Sequence, residues 1–502
     1  MTGLKQTNLP TPLKAQLAAG ALAGQGTYGV MTDLAEQFGV SRPTVYSAGE
    51  TADTVLTRYF EETEKEERFI LVDERQIERA IGALRTVSPN SIRAIETLLP
   101  TLYPGVKASF GKIQSILVEM EQRASTHNRQ VDLSNITAGA LDEMFSQGSP
   151  VLAGVDLESG FLFSLELCAS RGKEEWAEVL HAAQKQGLEL EKVVKDAAQG
   201  IASGVSEVFP DAEQRDDCFH ALYKMGRIRI YLERRALGAI SKLDEAEAKL
   251  SKVEDNGRGN LEKCKRNLET AQSYCTKMLG IHDAYEIATR EAIEAMTFIK
   301  LDSGHILTAK EMEEGIEAAA RKMLEIAHPH CVTVGKYLRN RAAGLALYMT
   351  ELRENLKALA EHHGDRAVRL ACLIERVSHD LECHIRPWDR RRDKQYLLGV
   401  LAMLHDAAGK NTDLVLNDVN EVLQHRHRAS SAIEGFNAAL RPFLYVQKGA
   451  TSGFLELFQA HHNLKKRRWG RHKGTSAHEV LTGEKVNDWL SMLGYPPSTP
   501  IH

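Results

Sequence analysis

Residues 151–168 read VLAGVDLESGFLFSLELC, and this stretch decides the class of fold. Its first part, Val151–Asp156, is a short apolar run, and Phe161–Cys168 is a second run rich in aromatic and branched side chains. Short apolar runs bounded by turn signals indicate buried strands. Ser159-Gly160 supplies the turn between the two runs. The stretch therefore predicts a β-hairpin.

The residues after this hairpin alternate between helical and extended patterns. Glu174–Gln186 has the spacing of an amphipathic helix, and Leu190–Asp196 has the pattern of a third strand. Strands that alternate with helices are typical of α/β domains. We therefore expect an α/β domain to begin near residue 150.

Helical patterns flank this domain on both sides. Residues 1–145 form amphipathic stretches that prolines interrupt, without sustained strand alternation. In residues 222–400, apolar side chains recur at helical spacing in a charged background, and the turn Asp255-Asn256-Gly257 separates two long helices. We expect an antiparallel helical hairpin followed by further helices, with solvated charged faces.

The composition limits the classes of protein to consider. With 502 residues, the chain has room for about three or four domains of ordinary size. Apolar residues make up 43% and charged residues 26%, which excludes a disordered or collagen-like chain. No apolar run is long enough for a membrane span or has the form of a signal peptide, so we expect a cytoplasmic protein without a membrane partner.

Cysteine spacing and net charge add two further expectations. The seven cysteines are odd in number and lack paired CxxC spacing, which favours reduced thiols over a disulfide framework or a zinc ribbon. The formal net charge is −5. Any binding of nucleic acid must therefore come from local basic patches.

Residues 33–47, DLAEQFGVSRPTVYS, have the layout of a helix-turn-helix. Asp33 with Glu36 can form a capping box, Gly39 can make the tight turn, and Ser41 can cap a second helix. In this arrangement Leu34, Ala35, Val40 and Val45 are buried, and Arg42, Thr44 and Tyr46 face outward to contact DNA. We favour DNA binding, with an ordinary helical corner as the alternative. A weaker candidate spans Ile92–Leu117, where core packing is an equal explanation.

Two acids close predicted strands of the α/β region. Asp156 ends the first strand of the hairpin, and Asp196 ends the third strand. Carboxylates at the ends of neighbouring strands can share a cation that prefers oxygen ligands, such as Mg²⁺. Each acid also has a local alternative, because Asp156 can enter the hairpin turn and Asp196 with Gln199 can cap the next helix.

Two further motifs lie near the C-terminus. In residues 428–442, Glu434, Asn437 and Arg441 fall on one helical face, although Ser431 with Glu434 also fits a capping box. Residues 461–473, HHNLKKRRWGRHK, contain no acid. Such a run suits phosphate contacts with an aromatic ring that can stack on a base, and plain solvated surface is the alternative. The candidate DNA-binding side chains are Lys465, Lys466, Arg467, Arg468, Trp469, Arg471 and Lys473.

In this order the motifs resemble the DDE transposases of bacterial insertion sequences. The matching segments are residues 141–160 (LDEMFSQGSPVLAGVDLESG), 193–220 (VVKDAAQGIASGVSEVFPDAEQRDDCFH), 430–442 (SSAIEGFNAALRP) and 470–483 (GRHKGTSAHEVLTG). The resemblance implies that Asp156, Asp196 and Glu434 are the catalytic, metal-binding triad. Asp217 and His220 fit a DxxH feature of some transposases with helical insertions, and a satisfied polar pair at a strand end is the alternative. Asn437 and Arg441 are expected to support the site.

The resemblance also implies the architecture. We expect an α/β ribonuclease H-like catalytic core interrupted by a large all-α insertion, with an all-α N-terminal helix-turn-helix region. Only two strands are evident before the first α/β helix, whereas the family fold has three. The implied division is a helical DNA-binding region at 1–145, catalytic segments at 146–221 and 401–448, an insertion at 222–400 and a basic tail at 449–502.

The function implied is DNA transposition. Two Mg²⁺ ions, for which Mn²⁺ can substitute, would activate the nucleophile and stabilise the leaving oxygen during strand cleavage and transfer. The partners would be double-stranded DNA at the element ends and at the target, and a second or further copy of the chain on that DNA, in a cytoplasmic, nucleoid-associated setting. The alternatives are a catalytically silent, domesticated DNA-binding regulator and a nuclease of the same fold.

Overall fold

A computed structural model describes residues 9–63, 72–196, 198–383, 398–406, 412–428, 431–446 and 449–497. These residues form two compact units, one before Glu74 and one spanning Glu74–Pro497. Among the helices within these ranges, none is both long and apolar enough to cross a membrane.

The first unit consists of helices α1 (Thr11–Ala23), α2 (Val30–Gln37) and α3 (Arg42–Thr63). Gly39 makes the turn between α2 and α3 with a φ of 63°, in the left-handed region that glycine adopts without a steric penalty. The core of the unit contains the buried side chains Leu17, Ala21, Met31, Ala35, Val40 and Val45, with Leu34 packed against them.

The expected start of α2 at Asp33 is wrong. The helix begins at Val30 after Gly29 at the N-cap, and Asp33 lies in its first turn. There its negative charge is favourable to the positive end of the helix dipole. The expected cap of the next helix is present, because the Ser41 hydroxyl accepts a hydrogen bond from the Thr44 amide at 3.3 Å.

Helices α4 (Glu74–Val87), α5 (Ile92–Leu102) and α6 (Phe110–Gln130) open the second unit. The weaker helix-turn-helix candidate coincides with α5 and the start of α6. Many of its apolar side chains are buried in a core shared with residues near the C-terminus, as the core-packing alternative predicts, whereas Leu102 and Phe110 are exposed. The members of that core include Ile95, Leu99, Ile113, Leu117, Leu457, Leu464, Leu490 and Leu493.

A five-stranded sheet follows, with the strand order β3-β2-β1-β4-β5. Strands β1 to β3 are antiparallel neighbours, whereas β4 runs parallel to β1 and β5 runs parallel to β4. The strands are β1 (Ala138–Ser146), β2 (Ser149–Asp156), β3 (Leu162–Leu167), β4 (Lys192–Lys195) and β5 (Glu213–Asp216). The predicted hairpin is confirmed as β2 and β3, and the predicted third strand as β4.

Strand β1 was missed by the expectation of an all-helical region up to residue 145. Its sequence, AGALDEMFS, contains no β-branched residue and has two adjacent acids, so strand propensity gives no signal. A tight turn at Gln147 and Gly148, both with positive φ, joins β1 to β2 and aligns Ser146 with Ser149. Residues 138–156 therefore form one antiparallel hairpin, and the boundary expected at 145/146 falls inside it.

Helices cover both faces of the sheet. Helices α7 (Lys173–Gln184) and α8 (Gln199–Val208) pack on one face around the fully buried Trp176. Helices α17 (Ser431–Val446) and α18 (Ser452–Leu464) pack on the other face. The central strands β1 and β2 therefore have two buried faces, as expected for the centre of an α/β domain.

The expected helical region at 222–400 is largely helical in its described residues, and residues 384–397 lie outside them. Helices α9 (Cys218–Asn256) and α10 (Leu261–Ala295) form the predicted hairpin, and Gly257 ends α9 in the left-handed conformation with a φ of 60°. The other helices of this region are α11 (Ala309–Glu325), α12 (Pro329–Arg339), α13 (Ala342–Ala346), α14 (Tyr348–His363), α15 (Asp365–Cys383) and α16 (Thr412–Gln424), and residues 398–406 are also helical.

This helical core continues beyond the boundary expected at residue 400. Val415, Val419 and Leu423 of α16 belong to the same buried cluster as α9 to α15. The segment at 401–448 is therefore divided between the helical core and α17. Two short helices, α19 (Ala477–Thr482) and α20 (Trp489–Met492), close the described chain.

Candidate metal centre

Two acids meet at the middle of the sheet, where β1 and β4 lie side by side. The register pairs Leu141 of β1 with Lys195 of β4. The residues that directly follow these two, Asp142 and Asp196, are therefore neighbours. Asp142 is buried, and Asp196 is half-buried just after the end of β4. The parallel pairing of these two strands thus builds a pair of carboxylates.

His220 joins this pair from the first turn of α9. Asp217 caps that helix by accepting a hydrogen bond from the Phe219 amide at 2.6 Å, and its other oxygen lies 2.8 Å from His220 Nδ1. One ligand atom from each of Asp142, Asp196 and His220 lies within 4.8 Å of the others. Such a group could hold a metal ion.

Helix α17 brings a third carboxylate to the cluster. Glu434 Oε1 lies 3.5 Å from His220 Nε2, and Glu434 Oε2 lies 4.0 Å from Arg441 Nη2. One turn after Glu434, the buried Asn437 donates a hydrogen bond from Nδ2 to Asp142 Oδ2 at 2.5 Å. The helical face carrying Glu434, Asn437 and Arg441 therefore lies over the cluster.

The electrostatics of the cluster favour an added cation. Burial, with a smaller effect from the charge of Asp196, raises the pKa of Asp142 to about 6, although the hydrogen bonds from the Glu143 amide and from Asn437 act to lower it. The hydrogen bond to Asp217 raises the pKa of His220, as do the charges of Asp142 and Glu434. The site therefore holds more negative charge than its own histidine offsets.

The donor set fits Mg²⁺ or Mn²⁺. Carboxylate oxygens are the ligands that these ions prefer, and imidazole is compatible with Mn²⁺. Asn437 Oδ1 is also buried without a hydrogen-bond partner among the described residues. An oxygen of this kind is satisfied if a hydrated ion occupies the cluster.

Asp156 does not belong to this cluster. Asp156 pairs with Gly139 of β1, so its side chain lies on the same face of the sheet as position 139. Asp142 is three residues further along β1, and side chains three residues apart on a strand point to opposite faces. Its Oδ2 accepts hydrogen bonds from the amide and the hydroxyl of Ser159 at 2.8 and 2.5 Å. Asp156 thus closes the β2–β3 turn, which was its local alternative, and Asp142 takes the place expected for it beside Asp196.

Asp142 was the residue that sequence reasoning missed. It lies in the segment that carried the resemblance, but the assignment of that segment to helix hid its role. One signal was present, since Gln147-Gly148 is a possible turn and directly precedes an apolar strand. Treating residues 138–146 as its partner strand would have made Asp142 a candidate.

Part of the basic segment is held against the β2–β3 turn. Arg467 donates from Nη2 to the Ser159 carbonyl, and Arg471 Nη1 lies 3.5 Å from Glu158 Oε2. Burial lowers the pKa of Lys465 and of Arg467. Arg467 and Arg471 support the turn and Lys465 is half-buried, so the expectation that the whole run faces DNA needs correction.

The remaining candidate DNA-binding side chains of residues 461–473 are exposed. Lys466 lies 3.4 Å from Glu479 with about half of its side chain in solvent, and Arg468 and Lys473 are exposed. The Trp469 side chain is 79% exposed. This subset can reach a phosphate or a base without rearrangement of the fold.

In the first unit, the outward-facing residues of the helix-turn-helix pattern lie as expected. Arg42, Thr44 and Tyr46 are exposed on the first turns of α3, and Val45 between them is fully buried. An exposed face of this kind is required of a recognition helix, although many surface helices share it.

Comparison with solved structures gives a weak likeness to a transposase complex. The chain is similar to the Drosophila P element transposase strand transfer complex, with 12% identity, a TM-score of 0.29 and coverage of 63% of this chain and 88% of that chain. No family model and no curated protein matches the sequence.

Proposed function

We propose that this chain is a DNA transposase that cuts and joins DNA strands at a centre formed by Asp142, Asp196 and Glu434. The observation that carries the proposal is the meeting of Asp142 and Asp196 on adjacent parallel strands beneath the helix that presents Glu434. The three strands before the first α/β helix also agree in number with the ribonuclease H-like fold that the resemblance implies.

The residues of the centre have distinct roles in this proposal. Asp142 and Asp196 would hold a divalent ion, and Glu434 of α17 would complete its ligands. Asn437 orients Asp142 through its hydrogen bond. Asp217 fixes the His220 ring so that Nε2 faces Glu434. When bound, Mg²⁺ supplies the charge that activates the attacking hydroxyl and stabilises the leaving oxygen of a phosphodiester.

DNA would be held by surfaces outside the metal centre. The exposed cations Lys466, Arg468 and Lys473 can contact phosphates, and Arg42 and Tyr46 on α3 can reach base edges. Joining two element ends requires two such surfaces, so we propose a homodimer or a higher oligomer on DNA.

Strand cleavage by matched variants tests the proposal. The substrate is labelled duplex DNA that contains the sequence flanking the reading frame, incubated with Mg²⁺. We expect Asp142→Asn, Asp196→Asn and Glu434→Gln to reduce cleavage to background while duplex binding persists, because an amide keeps the shape but loses the charge that holds the ion.

Asp156→Asn is the control, because it removes one carboxylate from the same sheet outside the cluster. It should retain cleavage if it remains folded. Loss of activity in Asp156→Asn with full activity in Asp142→Asn would overturn the assignment. Cleavage without joining would favour the nuclease, and binding without cleavage by the wild type would favour the silent regulator.

A further inference from the structure

The first turns of α9 expose two aromatic rings directly beside the metal centre. Phe219 and Tyr223 are 42% and 54% exposed, although both are large and mostly apolar. Their ring centroids lie 6.1 Å apart at an interplanar angle of 14°, so the rings form a stacked pair. Phe219 also lies edge-on to His220, with 5.9 Å between centroids. This pair therefore continues the surface of the metal cluster.

Two exposed cations follow the aromatic pair along α9. Arg227 lies one turn beyond Tyr223, with its guanidinium carbon 5.8 Å from the centroid of that ring. Lys224 Nζ lies 4.5 Å from the ring of Tyr337 on α12. Residues 219, 223 and 227 have i, i+4 spacing, which places them along one face of the helix. The face thus combines flat apolar rings with positive charge.

Packing of the fold does not account for this face. The opposite side of α9 supplies Ala221, Met225 and Leu232 to the helical core, and all three are fully buried. Exposed aromatic rings between cations are typical of surfaces that bind unpaired nucleic acid, because rings stack on bases while cations contact the backbone. Bases within a duplex are already stacked and offer no free face to such a pair.

We propose that Phe219 and Tyr223 stack on unpaired bases of the DNA strand next to the metal centre, and that Arg227 and Lys224 contact its phosphates. This inference rests on the proposed function, and it adds a preference for locally melted DNA at the cleavage position. The occupant is a single DNA strand, since the face has both the charge and the flat rings that an unpaired strand requires.

Binding of single-stranded DNA tests the inference apart from catalysis. The probe is a fluorescein-labelled strand of about 12 thymidines, a length that suits a stacking surface, titrated by anisotropy in EDTA. Phe219→Ala with Tyr223→Ala should weaken binding about tenfold or more, because each stacked base contributes about 1–3 kcal/mol. Binding of a duplex of the same length should change by less than about threefold, since paired bases do not use the rings.

Two further variants serve as controls. Leu237→Ala removes an exposed apolar side chain from the same helix, 58% in solvent, and should leave single-strand binding unchanged. Tyr223→Phe keeps the ring and should bind like the wild type. Circular dichroism and Mn²⁺ binding of the double variant show whether the fold and the metal centre are intact.

The outcomes separate this inference from the proposed function. Unchanged single-strand binding in a folded double variant overturns the stacking surface, even when Asp142→Asn abolishes cleavage. A change in oligomeric state by sedimentation, with single-strand binding unchanged, assigns the face to a second copy of the chain and also overturns the inference. Selective loss of single-strand binding supports it, whether or not the wild type cleaves DNA.

Discussion

The environment of Asp142 makes its charge costly in the absence of a cation. Burial raises its pKa to about 6, above the ordinary value of 3.8. Between these two pH values the folded chain holds the proton more tightly than the unfolded chain does. The contribution of this carboxyl to stability is therefore greatest at low pH and is lost as the pH rises through about 6. A bound divalent ion would offset that loss.

The same pKa predicts how metal binding depends on pH. We expect the affinity for Mn²⁺ to fall as the pH is lowered below about 6, because a proton then occupies the carboxyl that the ion needs. Calorimetric titrations between about pH 5 and about pH 8 measure this. Asp142→Asn should bind weakly at every pH and lose this component of the pH dependence. A wild-type affinity that is constant across the range would contradict the role of Asp142.

Among the secondary-structure elements, the sequence predicted those strands and helices whose own residues have a clear apolar pattern. The apolar runs of β2 and β3 and the helical spacing of α9 and α10 were sufficient to find those elements. Strand β1 is specified by its partners on both sides and not by its own composition, so it was missed. The candidate metal centre was likewise predicted only in part. Asp196 and Glu434 lie in motifs that the sequence shows, whereas the position of Asp142 depends on the pairing of β1 with β4.

Close packing of α7 on α8 gives a prediction at this scale. A Cβ added to Gly204 of α8 would lie 2.5 Å from the Cβ of Trp176. We expect Gly204→Ala to lower the free energy of unfolding by about 1–3 kcal/mol, because the two helices must separate. Urea denaturation measures this change.

Gly238 provides the matched control, since it is exposed in the interior of α9 and a Cβ there meets nothing within 4 Å. Gly238→Ala should raise stability by about 0.5–1 kcal/mol through helix propensity. Equal stability changes in the two variants would contradict the close approach of α7 and α8.

Helix α3 carries the prediction about sequence recognition. Replacing Arg42 and Tyr46 with Ala should lower the preference for duplex DNA that flanks the reading frame over random duplex, because a good bidentate base contact contributes about 1–3 kcal/mol of discrimination. A competition binding assay measures the ratio. Val45→Asp should instead unfold the first unit, since Val45 is fully buried. An unchanged ratio in the folded double variant would make residues 33–47 an ordinary helical corner.

The whole molecule has a negative net charge, whereas residues 461–473 are basic. The chain has a net charge of −5, so the binding of duplex DNA that we propose must depend on exposed basic segments. Replacing Lys466, Arg468 and Lys473 with Ala should weaken binding to all sequences and reduce the slope of log K against log salt by up to about 2.7, at about 0.9 for each phosphate contact. Binding titrations across several salt concentrations measure the slope.

The control for this triple variant removes the same charge elsewhere. Lys249, Lys252 and Lys263 are exposed near the tip of the α9–α10 hairpin. Their replacement with Ala should leave the slope within error of the wild type. An equal loss in both triple variants would show that overall charge, and not the basic segment, governs the binding of DNA.

The location of a bound metal ion tests the proposed metal centre most directly. Crystals of the full chain grown with Mn²⁺ give anomalous scattering that identifies the ion independently of activity. We expect an anomalous peak between Asp142 and Asp196, within coordination distance of both, with Glu434 or His220 as a further ligand. The absence of a peak there at saturating Mn²⁺, or a peak at Asp156 instead, would contradict it.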